Sequence, residues 1–265
     1  MKIFVTPPMK HLELSELGDN NLYIIGQYYK KNEAYRKYIH NAIKQGRFTI
    51  LDNGTGEEGE ILTNKELFKL TLEIQPNEVI PLDVLYNKEE TLNNFNQFLN
   101  WMKDARRKGF LYKRTSILAC PQGDTYEDWM ECYRYFLNND FVSCIGMSKK
   151  AIPHIMKNPD IAEARTLLVA KLEEQDLLRK PLHFLGQGNP IEFRCYNTNH
   201  HAIRSTDSCY PILSALHGVE IEKEGVFKRI PTPPDYFEKE VKEEDIELIK
   251  KNVDYLRRCC TSTLK

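Results

Sequence analysis

A (β/α)8 TIM-type barrel of the α/β class, built as a single domain over residues 1–265, is the fold this sequence predicts. Three observations lead there. Eight short apolar runs recur along the chain, each bounded by a polar residue or a glycine. Longer stretches with helical spacing lie between them. The length of 265 residues suits one such barrel and can bury a sizeable core.

The apolar runs are KIFVT (2–6), LYIIG (22–26), FTILD (48–52), EVIPLD (78–83), SILAC (116–120), FVSCIG (141–146), LHFLG (182–186) and AIRSTD (202–207). Each has the length of a strand buried on both faces of a parallel sheet. Helical spacing is read over 32–45, where Tyr35, Tyr38 and Ile39 share a side. It returns over 88–109 through Leu92, Phe95, Leu99 and Met102, with Gly109 as a stop, and over 125–139 through Trp129, Cys132, Tyr133 and Phe136. Residues 158–176 read as an amphipathic helix, and 245–260 as a further helix. Strand alternating with helix implies parallel pairing through crossover helices, and about eight strands in one domain favour closure. A second register stays open, with the first two runs as an outer hairpin and VFKRI (226–230) closing the barrel. PTPPDYF (231–237) reads as a rigid loop.

Composition narrows the function classes. The net charge of -1 provides no broad basic field, so any nucleic-acid contact must come from a local patch. MKIFVTPPMK opens with an apolar run of three, too short for a signal peptide, and no stretch approaches the roughly 18 apolar residues of a membrane span. A cytoplasmic location is the expectation. The seven cysteines are odd in number and form no CxxC pair, which argues against a disulfide scaffold or a structural zinc site. No cofactor or metal is expected. The vicinal Cys259 and Cys260 read as a feature of a helix end.

What ends each strand is the informative feature. FTIL ends in Asp52, VIPL in Asp83 and AIRST in Asp207. SILAC leads to Pro121-Gln122-Gly123, FVSC to Ile145-Gly146-Met147, and LHFL to Gly186-Gln187-Gly188. In a barrel the C-terminal strand ends ring one mouth, where active sites form. A carboxylate ending an apolar strand is costly unless paired or used. One such aspartate is commonly a helix N-cap; three, with a glutamine and glycine turns, point to a site. Glycines let the backbone approach a flat ligand, and a glutamine offers donor and acceptor together. Paired carboxylates suit chemistry at a sugar anomeric carbon, where one attacks and the other handles the proton. Barrel geometry does not identify the leaving group.

These segments resemble tRNA-guanine transglycosylases, enzymes that exchange guanine in a polynucleotide for a 7-deazaguanine base. The family's aspartate-serine-glycine-glycine segment looks like Leu51-Asp52-Asn53-Gly54, and its base-binding aspartate like Asp83 in IPLDVLY. Its valine-glutamine-glycine-glycine segment looks like Cys120-Pro121-Gln122-Gly123, and its glycine-glycine-leucine turn like Ile145-Gly146-Met147. Its leucine-methionine-glycine-valine-glycine segment looks like PLHFLGQGNPIE (181–192). Its nucleophile segment looks like Thr206-Asp207-Ser208-Cys209-Tyr210-Pro211. Order and approximate spacing agree over 48–217. The resemblance implies that Asp207 attacks C1′ of a guanosine and that Asp52 takes the N9 proton of the incoming base. Asp83, Gln122 and Gly123 would bind the base, the Gly146 backbone its exocyclic edge, and Met147 and Tyr86 its ring faces. Gly186, Gly188 and Arg204 would form the loop facing the phosphates.

Two departures separate this chain from that pattern. The region after the nucleophile strand, SALHGVEIEKEGVFKRIPTPPDYF, has no cysteine, so it lacks the ligands of the zinc subdomain of tRNA-type members. Thr55 and Glu57 replace the second glycine and the aromatic of the first motif. A shortened, zinc-free member resembles relatives that insert 7-deazaguanines into DNA, so DNA is the favoured polymer and a base such as 7-cyano-7-deazaguanine the small-molecule substrate. The alternatives are a tRNA substrate, a nucleoside or base N-glycosyl hydrolase, and a non-catalytic partner subunit; the last is disfavoured because both Asp52 and Asp207 are present. Lys103, Arg106, Arg107, Lys108, Lys113 and Arg114 form a local basic cluster that reads equally as a phosphate contact or a solvated helix end. His200-His201 lacks acidic or cysteine partners at ligand spacing and reads as a loop pair.

Overall fold

The all-apolar runs pair as parallel strands, because both faces of each must be covered. In the computed structural model, which describes residues 1–54, 62–112, 114–188, 192, 202–224 and 230–261, eight strands form one sheet. They are β1 (Lys2–Val5), β2 (Asn21–Ile25), β3 (Phe48–Asp52), β4 (Glu78–Val79), β5 (Ser116–Ala119), β6 (Val142–Ser148), β7 (Leu182–Leu185) and β8 (Ile203–Ser208). Their order is β1-β8-β7-β6-β5-β4-β3-β2, every pairing parallel. The two ends of that order, β1 and β2, lie side by side, so the sheet is a nearly closed (β/α)8 barrel. The outer-hairpin register is therefore overturned: β1 pairs with β8 and β2 with β3, both in parallel. Of the candidate closing strand VFKRI, only Ile230 falls within the described residues.

The β1–β2 seam is sealed by a side chain. Asp19 Oδ2 accepts the Ile3 N–H at 2.8 Å, and the Asp19 N–H donates to Ile3 O at 3.2 Å. A backbone donor that would otherwise be an open sheet edge is thus satisfied from the preceding turn.

Among the described residues seven α-helices precede β7: α1 (Gly26–Lys31), α2 (Glu33–Lys44), α3 (Asn64–Ile74), α4 (Lys88–Arg107), α5 (Tyr126–Leu137), α6 (Ala151–Met156) and α7 (Ile161–Glu174). Asn32, Thr63, Asn87, Thr125 and Asp160 cap five of them by accepting a backbone N–H of the first turn. Helix α3 is missing from the sequence reading, although Thr63 and Glu66 announce it as a reciprocal capping box, worth about 1 kcal/mol. Strand alternation divides the core. Phe95, Phe98, Trp129, Phe136 and Leu168 pack from the helices onto Ile117, Ile145, Met147 and Phe184. Tyr23, Ile25, Ile50, Leu118, Cys120 and Cys144 face the barrel interior. The helices Tyr210–Leu216 and Glu243–Thr261 pack on each other, and buried Cys259 and Cys260 join that contact as small apolar side chains. No described helix is long and apolar enough to cross a membrane.

Candidate active site

Register fixes which way the carboxylates point. Asp207 is the partner of Phe4, and Asp52 the partner of Ile25. Phe4 packs edge-on against Tyr23 and His183 inside the barrel, and Ile25 alternates with Tyr23 on the same face, so both aspartates face the barrel axis from its C-terminal end, one on β8 and one on β3. Asp207 lines a cavity of about 540 Å³ together with Thr6, Tyr23, Lys149, Gly186 and Gln187. That volume lies in the usual range of small-molecule sites.

Asp207 is held by two donors. The Gly186 N–H donates to its Oδ1 at 2.9 Å, and His183 Nε2 lies 3.3 Å from the same oxygen. Gly186 adopts φ +67°, a left-handed conformation that a side chain would strain, and this turn delivers its N–H to the carboxylate. Both bonds fall on Oδ1, so Oδ2 is the oxygen available to react. Burial pushes the Asp207 carboxyl up; the His183 ring, the Gly186 N–H and the nearby Lys149 charge outweigh it and hold the group below the usual aspartate range.

His183 was not singled out from the sequence, where a histidine in an apolar run reads as core. Its ring is fully buried, stacked on Tyr23 with centroids 6.0 Å apart and edge-on to Phe4 at 5.6 Å. Burial drives its pKa below the usual histidine range, against the pull of Asp207. Its tautomer follows from its neighbours. Arg204 Nε donates to Ser205 Oγ at 3.1 Å, which turns the Ser205 hydroxyl toward His183 Nδ1 at 2.8 Å. Nδ1 accepts, and Nε2–H donates to Asp207.

Arg204 itself does not reach the mouth. The β7–β8 register shifts between Leu182 and His183, partnered by Ile203 and Ser205, so Arg204 is the extra residue of a bulge near the start of β8. It turns onto Phe48 and forms a bidentate pair with buried Glu78, at 2.6 and 2.7 Å. Glu78 opens β4, so the pair plugs the end of the barrel opposite the mouth, which corrects the assignment of Arg204 to a phosphate-facing loop.

The third aspartate belongs to a separate cluster. Strand β4 stops at Val79, because Pro81 has no N–H for the ladder, so Asp83 sits on the following loop rather than at a strand end. Asn53 Nδ2 donates to its Oδ1 at 2.7 Å and Gln122 Nε2 to its Oδ2 at 2.5 Å. Burial pushes the Asp83 carboxyl above the usual range, and hydrogen bonds from Asn53, Gln122 and Cys120 offset only part of that. The Gln122 Oε1 in turn accepts the Tyr86 N–H at 3.3 Å. Asp52 Oδ2 accepts the Gly54 N–H at 3.1 Å, and Asn53 adjoins it, so Asp52 and the Asp83 cluster share one side of the mouth.

Other expected residues fall in different places. Gly146 lies within β6 rather than in a turn and faces inward; a Cβ there would come 2.9 Å from Leu118 and 3.0 Å from Leu185. Met147, next in the strand, points the other way into the layer beneath the helices, so it cannot cover a ring at the mouth. A Cβ on Gly123 would meet the Trp129 backbone nitrogen at 2.4 Å, so this glycine serves the close approach of α5. Tyr86 is half-buried and packs against His154, the rings tilted by 33° with centroids 4.2 Å apart. Gly188 lines the Asp207 cavity. The basic cluster sits where α4 leads into β5, the end away from the mouth. There Arg106 lies over Phe141, Arg107 and Lys108 pair with Asp104, and Arg114 covers Tyr112. Thr55, Glu57, Lys113, His200 and His201 lie outside the described residues. Among the described residues no cluster of histidine, cysteine and carboxylate side chains has the arrangement of a metal site.

Fold and site together define an α/β barrel with an ionised aspartate lining a cavity at its mouth and a second aspartate at the C-terminal end of β3, outside the lining of that cavity. The sequence matches no family model and no curated protein.

Proposed function

We propose that this chain is a transglycosylase that exchanges guanine in a polynucleotide, DNA in preference to tRNA, for a 7-deazaguanine base. The observation that carries the reading is Asp207, ionised, with Oδ1 held by Gly186 and His183 and the cavity beside it. Asp207 Oδ2 attacks C1′ of the target nucleoside. The C1′–N9 bond breaks, its electron pair leaves with guanine, and the base takes a proton from the solvent, to which Asp52 later returns one. The incoming 7-deazaguanine loses its N9 proton to Asp52, attacks C1′ and displaces the Asp207 carboxylate. A nucleophile of this kind splits one difficult displacement into two easier ones. His183 supports the first step by keeping Asp207 charged and oriented. Asp83 and Gln122, which already meet through hydrogen bonds, supply the acceptor and amide groups that a guanine edge matches. No cofactor enters this scheme.

Incubation with guanine-containing DNA, or with tRNA, and labelled guanine or 7-cyano-7-deazaguanine tests the proposal. Label should enter the polymer, DNA faster than tRNA. Release of free guanine without any incoming base would indicate a hydrolase instead, and no incorporation into either polymer would refute exchange.

A further inference from the structure

Two polar side chains beside Asp207 have no hydrogen-bond partner among the described residues. Gln187 is 2% exposed, and neither its Nε2 nor its Oε1 makes a hydrogen bond. Thr6 is 8% exposed, and its Oγ1 makes none either. Leaving a buried polar group unmade is costly, and these two, unlike the unpartnered atoms of Trp129 and Ser214, line the Asp207 cavity, where a ligand can reach them.

Their backbones place them on either side of the nucleophile. The Gln187 N–H donates to Asp207 O at 3.0 Å, and the Thr6 N–H donates to Ser208 O at 3.0 Å. The Ser208 hydroxyl fixes the Gln187 carbonyl at 2.6 Å. Both side chains thus line the cavity into which Asp207 opens. Lys149 and Lys150 line the same cavity, and neither has an ion-pair partner among the described residues, whereas Lys30 and Lys88 are paired with carboxylates. A Cβ on Gly186 would come 2.7 Å from Lys149 Cδ, so the missing side chain lets this lysine lie beside the Asp207 turn.

We propose that Gln187 and Thr6 are the hydrogen-bonding pair of a pentose-phosphate subsite, with Lys149 and Lys150 taking the phosphate. This rests on Asp207 being the carboxylate that engages C1′. A pentose phosphate supplies both donors and acceptors for an amide and a hydroxyl, and its anion suits two unpaired lysines.

The test uses fluorescence anisotropy with Asp207→Asn protein and three probes. They are a guanine-containing DNA oligonucleotide, the RNA of the same sequence, and the DNA with a stable abasic residue in place of the target nucleotide. Adding Gln187→Leu or Thr6→Val should weaken binding about tenfold for at least one polymer. The loss should persist on the abasic probe when DNA is that polymer. Lys149→Ala with Lys150→Ala should flatten the salt dependence of binding. Gln187→Leu should leave Tm equal or higher, since it removes an unsatisfied buried amide. Unchanged affinity in both Gln187→Leu and Thr6→Val would overturn the subsite, as would a lowered Tm in Gln187→Leu, which would make the amide structural. The same two variants in the Asp207 background separate the two proposals. Exchange at the parent rate sinks the subsite and leaves base exchange standing. Weakened binding with no exchange by any form of the protein sinks base exchange and leaves the subsite.

Discussion

The two sides of the barrel mouth treat a buried aspartate in opposite ways. On the β8 side Asp207 titrates below the usual range, because the Gly186 N–H, His183 and Lys149 outweigh burial. On the side of β3 and β4 Asp83 titrates above it, because burial outweighs three neutral donors. The polar atoms around Asp83 satisfy one another, while Gln187 and Thr6 beside Asp207 have unmet hydrogen bonds. Separating the pKa values of like groups is how one site assigns them different roles. The β8 side is built to hold a charge and receive a ligand, and the Asp83 side to present a prearranged polar edge.

The largest expected effect breaks that comparison outright. Asp207→Asn should lower the rate of labelled-base incorporation by about 10³-fold or more, the scale expected for a missing nucleophile. Asp83→Ala should cost less, about 10²-fold in kcat/KM for the incoming base, mostly through KM, because it removes binding rather than the reacting atom. His183→Phe sharpens the account of Asp207. The attacking form is the carboxylate, whose pKa is depressed, so activity is present above that pKa and falls as pH drops through it. Removing the His183 donor raises the Asp207 pKa, so the acid limb of kcat/KM should move to higher pH, with about a tenfold loss at neutral pH. An unmoved acid limb would detach His183 from Asp207. Glu78→Gln should affect activity least. It loosens the bidentate pair with Arg204 at the far end of the barrel and should lower stability by about 2 kcal/mol in urea unfolding. That value lies below the range for fully buried pairs because the Arg204 side chain remains 24% exposed.

The strands were legible because burial on both faces writes them as apolar runs. The two half-mouths were legible only in part. Asp52 and Asp207 end their runs, so period-two alternation carries them to the interior without further information. The same alternation, applied to Gly146, would have sent Met147 outward, and the family pattern obscured that. Pro81 inside EVIPLD was the signal that β4 would stop short and leave Asp83 on a loop. Arg204 could not be read from sequence, because its inward turn depends on a bulge between β7 and β8 and on a partner 126 residues away. His183 gave only the pattern of a core residue; its role comes from Ser205 and Asp207, both on another strand.

The most direct test of Asp207 as the nucleophile is a denaturing-gel search for a covalent adduct between the protein and a guanine-containing oligonucleotide, DNA or RNA. A shifted band should form with the parent protein, persist in Asp52→Asn and vanish in Asp207→Ala. A shifted band that survives in Asp207→Ala, or none with either polymer under exchange conditions, would contradict the assignment.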